Sequence, residues 1–314
     1  MDVVISDLHI GNPNSTLSSR AEEIVDQFVA EVNEIDSVGK LILLGDVFDF
    51  WDENLSKALK KSSLFFEKIS EIAKEVIYIP GNHDHHSLIL CEKMELISKM
   101  EQEKPPDLTF RDILKYEYPK KDPEFTEAEF LKGLFPGLHN VHLKLIYPEY
   151  TYKWKGKEIL FRHGHYLDSG LFRVMPWLYE FLGGKIKSER DFEVVNTPVY
   201  EYLYYCGTVR EISDFYKRLH HYLYRLAEKF YKKSGHKTIE SRKKDIERFF
   251  KIYRKGQCPD ILVFGHTHVV DRKTLFGVDF VNSGGWIKER NIPHVNTYVT
   301  IGDEIEIKKC QKNF

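Results

Sequence analysis

The stretch Leu41-Ile42-Leu43-Leu44-Gly45-Asp46 ends an aliphatic run on a glycine and a carboxylate, and four other stretches repeat its plan. They are Val3-Val4-Ile5-Ser6-Asp7-Leu8-His9, Val76-Ile77-Tyr78-Ile79-Pro80-Gly81-Asn82-His83-Asp84, Ile159-Leu160-Phe161-Arg162-His163-Gly164-His165 and Ile261-Leu262-Val263-Phe264-Gly265-His266-Thr267-His268. Each apolar run has the length and β-branched character of a strand buried on both faces. Its Asp, His or Asn then falls at the strand's carboxyl end, where open sheets gather their ligand sites. Five such ends that converge make a two-metal centre.

Helical periodicity fills the intervals. Ser19-Arg20-Ala21-Glu22 has capping-box spacing, and Ile24, Val25, Phe28, Val29, Val32 and Ile35 follow at helical period, with Gly39 just past the expected end. Residues 56–74 predict a second helix and Leu88 to Met100 a third, while Lys104 to Pro136 is Pro-rich, charged and without an assignable pattern. Beyond it the chain turns strand-rich. Tyr150 to Trp154 and Glu158 to Phe161 flank Lys155-Gly156-Lys157 as a hairpin. Asp260 to Phe264, Val269 to Leu275, Val278 to Asn282, Thr297 to Ile301 and Glu304 to Lys309 complete the set. An α/β opening and a β-hairpin close fit two stacked sheets flanked by helices.

Residues 169–257 break that alternation, because their apolar residues keep helical spacing. Leu171, Val174, Leu178 and Leu182 form one stripe that ends at Gly183-Gly184. Thr197-Pro198 reads as an N-cap with proline at the first helical position, leading into Ile212, Phe215, Leu219, Leu223, Leu226 and Phe230. Ile246, Phe249, Phe250 and Tyr253 mark a further helix closed by Gly256. The simplest organisation is a core of residues 1–168 and 258–314 carrying an inserted helical cap at 169–257. From Thr208 to Gln257 there are fifteen Lys or Arg against six Asp or Glu, so this piece is strongly cationic in a chain of net charge −2. Its tyrosines are dense as well. A basic, aromatic lid suits an anionic substrate with an aromatic or lipid part, or single-stranded nucleic acid; solvated basic faces over a Tyr-rich core are the plainer alternative.

Composition sets outer bounds. A chain of 314 residues, 42% hydrophobic and 30% charged, is that of an ordinary globular protein. Cys91, Cys206, Cys258 and Cys310 show no Cys-x-x-Cys spacing, so reduced structural thiols in a reducing cytoplasm are expected. No stretch reaches the ~20 apolar residues of a membrane span. Asp7 follows the first strand at once, so loss of an N-terminal leader would remove the site, and a signal peptide is not expected.

In order, Asp-x-His, Gly-Asp-x-x-Asp, Gly-Asn-His-Asp, His-Gly and Gly-His-x-His resemble the signature of the calcineurin-like metallophosphoesterases. This chain supplies them as Asp7 and His9; Gly45, Asp46 and Asp49; Gly81 to Asp84; His163 and Gly164; and Gly265, His266 and His268. The resemblance implies a four-layer α-β-β-α sandwich and a dinuclear phosphoesterase in which a hydroxide bridging two ions attacks phosphorus. A carboxylate shared by two ions ~3.5–4 Å apart is what such chemistry needs, and Asp46 is the candidate bridge. By resemblance Asp7, His9 and His268 complete one metal shell, and Asn82, His163 and His266 the other. The mixed imidazole, carboxylate and amide set suits manganese first, with iron, zinc, nickel or cobalt as alternatives, rather than calcium. The resemblance also makes His83 a general acid or phosphate donor oriented by Asp84, with Asp49 behind His9 or His83. His165 either lines the site or supports it, and His85 and His86 sit in a solvated loop or touch substrate.

Within that superfamily, Gly45-Asp46-Val47-Phe48-Asp49-Phe50-Trp51 and the insertion after His163-Gly164 look like the UDP-2,3-diacylglucosamine hydrolases, which cleave a pyrophosphate beneath a helical lid. Bacterial members of that branch usually carry Arg in place of His83 and Asp in place of His165, so the architecture carries over and the substrate does not. The expected substrate is a small phosphorylated molecule, nucleotide- or lipid-linked. A nuclease on single-stranded DNA or RNA is the alternative, and a non-catalytic metal-scaffolded interaction protein is disfavoured because every ligand and His83 are kept.

Overall fold

A computed structural model describes residues 1–18, 20–103, 123–167, 171–208, 238–289 and 292–310. Its first sheet begins with β1 (Asp2–Ile5), β2 (Val38–Leu44) and β3 (Ala73–Ile79), which run parallel. The short β4 (Glu124–Thr126) pairs antiparallel with β5 (His142–Ile146), itself parallel to β3. The second sheet holds β6 (Glu149–Trp154), β7 (Lys157–Arg162), β8 (Ile261–Phe264), β9 (Val270–Leu275) and β10 (Val278–Ser283), in the order β6-β7-β8-β10-β9. The chain then returns to the first sheet as β11 (Thr297–Ile301) and β12 (Ile305–Lys309), giving β12-β11-β1-β2-β3-β5-β4.

Alternation along the strands builds four layers from these two sheets. Val4, Ile42, Leu44, Ile77 and Ile79 point into the space between the sheets and meet Ile159, Phe161, Ile261 and Val263 from the facing one. Their neighbours Val3, Ile5, Leu41, Leu43, Val76 and Tyr78 point outward, into a layer shared with Phe28 and Phe66. Those two aromatics belong to α1 (Ala21–Ile35) and α2 (Leu55–Ile72). On the far side Leu160, Leu262, Phe264 and Phe280 are covered by Phe192, Tyr200, Ile246 and Phe249. The fold is therefore the α-β-β-α sandwich that the strand and helix pattern predicts. A one-residue slip in any central strand would exchange its two faces.

Among the described residues the remaining α-helices are α3 (His86–Glu103), α4 (Glu129–Leu134), α5 (Leu171–Phe181), α6 (Glu189–Thr208) and α7 (Lys243–Arg248). A π-helical turn, Phe249–Tyr253, continues α7, and the backbone N–H of Gly256 closes it on the Phe250 carbonyl. Four local expectations are corrected. The N-cap of α1 is Arg20, with no side-chain capping bond, and Ser19 lies outside the described residues. Gly39 is inside β2 rather than beyond a helix end. Thr197-Pro198 does not start a helix. α6 begins at Glu189, where Ser188 Oγ accepts the Asp191 N–H, and Pro198 is accommodated in its interior. Thr197 Oγ donates instead to the Glu193 carbonyl at 2.9 Å. Finally, part of the stretch without a pattern carries β4 and α4. The expected helical positions from Ile212 to Phe230, and the cations Lys232, Lys233 and Lys237, lie outside the described residues. No helix among the described residues is long and apolar enough to cross a membrane.

Candidate metal centre

Three of the five strand ends leave their sheets through left-handed turns. Asp7, His9, Asp46, His266 and His268 all have φ between 46° and 65°, the left-handed region that non-glycine residues rarely adopt. Such strain persists only where surrounding structure holds it, and it gathers at functional sites. The loops hold one another here: Asp7 N–H donates to the Gly45 carbonyl, His9 N–H to that of Asp46 and Gly265 N–H to that of His163. At Gly45, with φ 81°, an added Cβ would collide with the His163 ring, so only glycine lets β2 end against that histidine.

The turns bring the expected ligands together. Ligand atoms of Asp7, His9 and His268 lie within 4.8 Å of one another, as do those of Asp46, His163 and His266. His9, Asp46 and His83 form a third such group that links the other two. Asp46 Oδ2 is 3.1 Å from His163 Nε2 and 3.7 Å from His9 Nε2. Asn82 is buried beside them, and its Oδ1 has no hydrogen-bond partner among the described residues.

The rings are aimed by their far nitrogens. His163 Nδ1 donates to the Leu44 carbonyl at 3.0 Å, His9 Nδ1 to Asp49 Oδ2 at 3.0 Å, and His268 Nδ1 to Glu289. Each bond turns Nε2 toward the centre, so that a ring that gives up its Nε2 proton offers a lone pair there, the arrangement that supports metal-ligating imidazoles. His9 Nε2 and His268 Nε2 consequently face each other at 3.1 Å. Two acceptors at that distance repel unless a proton or a cation lies between them. Together with the orphaned Asn82 oxygen, this donor set fits divalent transition ions.

Burial opposes charge on His83, yet the Asp49 and Asp46 carboxylates outweigh it and hold its pKa up at about 9. The same contest, won by Asp46, raises His163 to about 10, and hydrogen bonds to Asp7 and Glu289 raise His268 to about 8. Reciprocally, burial works against ionised Asp46 and Asp49, but the imidazoles keep both well below the usual carboxylate range. His165 goes the other way, kept neutral by burial and by the neighbouring His163.

Asp49 is the pivot of this network, because its Oδ1 also accepts from His83 Nδ1 at 3.1 Å. Asp84, expected to orient His83, is engaged elsewhere. It accepts the backbone N–H groups of Gly81 and Val47 and the Tyr78 hydroxyl, so it ties the β2 and β3 loops together instead. His83 stacks on Trp51 at 3.8 Å, and its side chain is 22% exposed, against 12% for His268, 2% for His9 and 1% for His163. His165 is buried behind the ligands, 3.6 Å from Glu193 of α6. His85 and His86 are not solvated: both are buried and both meet Glu201 of α6. Glu289, Glu193 and Glu201 escape a reading of the sequence, since none stands near a ligand motif.

A family model described as calcineurin-like phosphoesterase matches residues 3–270. "Uncharacterized protein L509" of Acanthamoeba polyphaga mimivirus is 32% identical over 84 residues, which is 27% of this chain and 26% of that protein. The match thus spans about a quarter of the viral protein's length. Among solved structures, an archaeal phosphodiesterase aligns over 98% of both chains at 11% identity with a TM-score of 0.37. Yfce, a phosphoesterase from E. coli, aligns over 95% of this chain and 85% of its own at 10% identity, with a TM-score of 0.33.

Proposed function

Because the chain belongs to the calcineurin-like phosphoesterase family, we propose that it hydrolyses a phosphoester or pyrophosphate bond with two divalent transition ions, manganese first among them. The carrying observation is the chain of ligand groups that runs from Asp7, His9 and His268 through Asp46 to His163 and His266. In this reading Asp46 is shared, Asp7, His9 and His268 hold one ion, and Asn82, His163 and His266 hold the other. When bound, such ions neutralise phosphoryl oxygens and supply a nucleophile at neutral pH.

The protein's own residues do the rest. His83, protonated by its pairing with Asp49 and steadied on Trp51, donates to the phosphate or to the departing oxygen. Asp49 keeps that proton in place and at the same time aims His9. Asp84 holds the β2 and β3 loops at fixed separation, which sets Asp46 against Asn82 and His83. The substrate is a small or amphiphilic phosphorylated molecule, nucleotide- or lipid-linked, taken beneath a cap formed by residues 169–257. Free Cys91 and Cys310, both buried, suit a reducing cytoplasm.

Elemental analysis of the purified protein is expected to find about two transition ions per chain, and chelation to abolish hydrolysis of p-nitrophenyl phosphates. Full activity in chelator with no bound metal would end this reading. Asp46→Asn is expected to remove more activity than His9→Ala, since it damages both ligand groups. A panel of p-nitrophenyl mono- and diesters, nucleoside diphosphate sugars and single-stranded DNA then ranks the substrates, and a preference for DNA would favour a nuclease.

A further inference from the structure

One helix of the cap touches three of the five ligand-bearing loops. In the 45–51 loop, Phe50 meets Tyr204 edge-on at 6.3 Å. In the loop after β7, His165 lies against Glu193, which also accepts the Tyr147 hydroxyl at 2.8 Å. The densest contact is at the loop after β3. There Glu201 Oε2 is 2.7 Å from His86 Nδ1 and Oε1 is 3.4 Å from His85 Nδ1, while the His86 ring stacks nearly parallel on Tyr204 at 3.5 Å.

One carboxylate with one oxygen on each of two consecutive histidines fixes both rings. His85 and His86 directly follow Asn82-His83-Asp84, and His86 opens α3. Their position is therefore the downstream anchor of the segment that carries the Asn82 oxygen and the His83 ring. The upstream anchor is β3, and Asp84 is the internal tie. We propose that Glu201 is a positioning residue: through His85 and His86 it sets the placement of Asn82 and His83, so that the cap helix α6 tunes the reaction centre without touching the substrate. This rests on the phosphoesterase reading for its rate measurement and on the two-ion reading of the ligand groups for its metal measurement. The contact is largely shielded, with side-chain exposures of 1% for His85, 10% for His86 and 15% for Glu201, and a carboxylate so placed and bonded to two rings is held tightly. Partners of this outer kind typically change metal affinity or activity roughly 10–100-fold when removed.

The test compares Glu201→Gln and Glu201→Ala with wild type and with Val194→Ala, an exposed α6 substitution. Glutamine keeps a single acceptor oxygen, so it can serve one ring and not both. Manganese titration by calorimetry is expected to show one of two ions bound roughly tenfold more weakly in Glu201→Gln and more weakly still in Glu201→Ala. The other ion should bind as in wild type. On bis-p-nitrophenyl phosphate with saturating manganese, kcat should fall by a similar factor with KM unchanged, at a temperature well below melting for every variant. Unchanged kcat together with unchanged affinity for both ions would overturn the proposal. So would an equal loss at both ions that simply follows melting temperature, since that is general destabilisation. If wild type hydrolyses no phosphoester, the functional reading fails, but the one-ion loss still decides the role of Glu201.

Discussion

At the scale of single residues, the site is a contest between burial and charge. His163, His83 and His268 hold protons in the folded protein with pKa values of about 10, 9 and 8, above the ordinary 6.5. Their ion pairs thus stabilise the metal-free protein fully below pH 6.5, and that contribution is lost as pH rises through 8 to 10. In the proposed centre metal binding would have the opposite slope, because His163 and His268 would have to surrender their protons to coordinate. Melting curves should show it. The chelator-treated protein is expected to lose stability between pH 6.5 and 10, while the increment on adding manganese grows over the same window. A manganese increment that shrinks with pH would contradict the protonation states assigned to these rings. For His83, replacement by Ala should cost ~10²–10⁴ in turnover of substrates with poor leaving groups, and less for p-nitrophenyl esters. Equal losses on both would leave phosphate binding as its role.

At the scale of elements, α6 is joined to the core by a second ionic device. Arg162 ends β7, one residue before His163, and is buried with Nη1 2.9 Å from Glu149 and 3.0 Å from Glu189 at the start of α6. Its guanidinium also lies over the Tyr166 ring at 3.6 Å, and Arg254 pairs with the same Glu149 at 2.7 Å. Arg162→Met would take a buried cation from Glu149 and Glu189, leaving them Arg254 at 2.7 Å and 3.8 Å, so a loss of about 3 kcal/mol in denaturant unfolding is expected. A change below ~1 kcal/mol would mean that Arg254 alone can satisfy both. This lock shows what a sequence discloses and what it conceals. The strands were legible because alternation and aliphatic runs are local, and Thr297 to Ile301 falls where its pattern places it. The candidate ligands were legible because each follows its strand within a few residues. Glu149, Glu189, Glu193 and Glu201 were not, because nothing local distinguishes a glutamate that will be buried against a distant arginine or histidine. Pro198 misled for a related reason: proline at a helix start is the common case, and the packing of Phe192 and Tyr200 on either side of it carries α6 straight through.

At the scale of the whole molecule, residues of α6 and α7 form part of the fourth layer of the sandwich. Phe192, Tyr200, Ile246 and Phe249 are buried on the outer face of the second sheet, against Leu160, Leu262 and Phe280. Stripping those partners away would expose that face to water, at roughly 25 cal/mol for each Å² of apolar surface. Removal of residues 169–257 is therefore expected to give a protein that aggregates or melts without cooperativity, as read by calorimetry and size-exclusion chromatography. A truncated chain that folded cooperatively and kept its hydrolytic rate would show that the cap is separable after all.

The left-handed turns at Asp7, His9, Asp46, His266 and His268 also narrow the routes by which this site can change over generations. Asn, Asp and His enter that backbone region most readily after glycine, whereas β-branched side chains are excluded by their own shape. Each of these positions is thus filtered twice, once by coordination chemistry and once by the peptide geometry beneath it. A saturation library screened only for soluble expression, with catalysis ignored, would already be enriched at all five in Asn, Asp, His and Gly. Drift or directed evolution toward another metal meets that filter at all five, and a thiolate or a longer carboxylate enters with less backbone strain at the remaining positions, Asn82 and His163, which carry no positive φ.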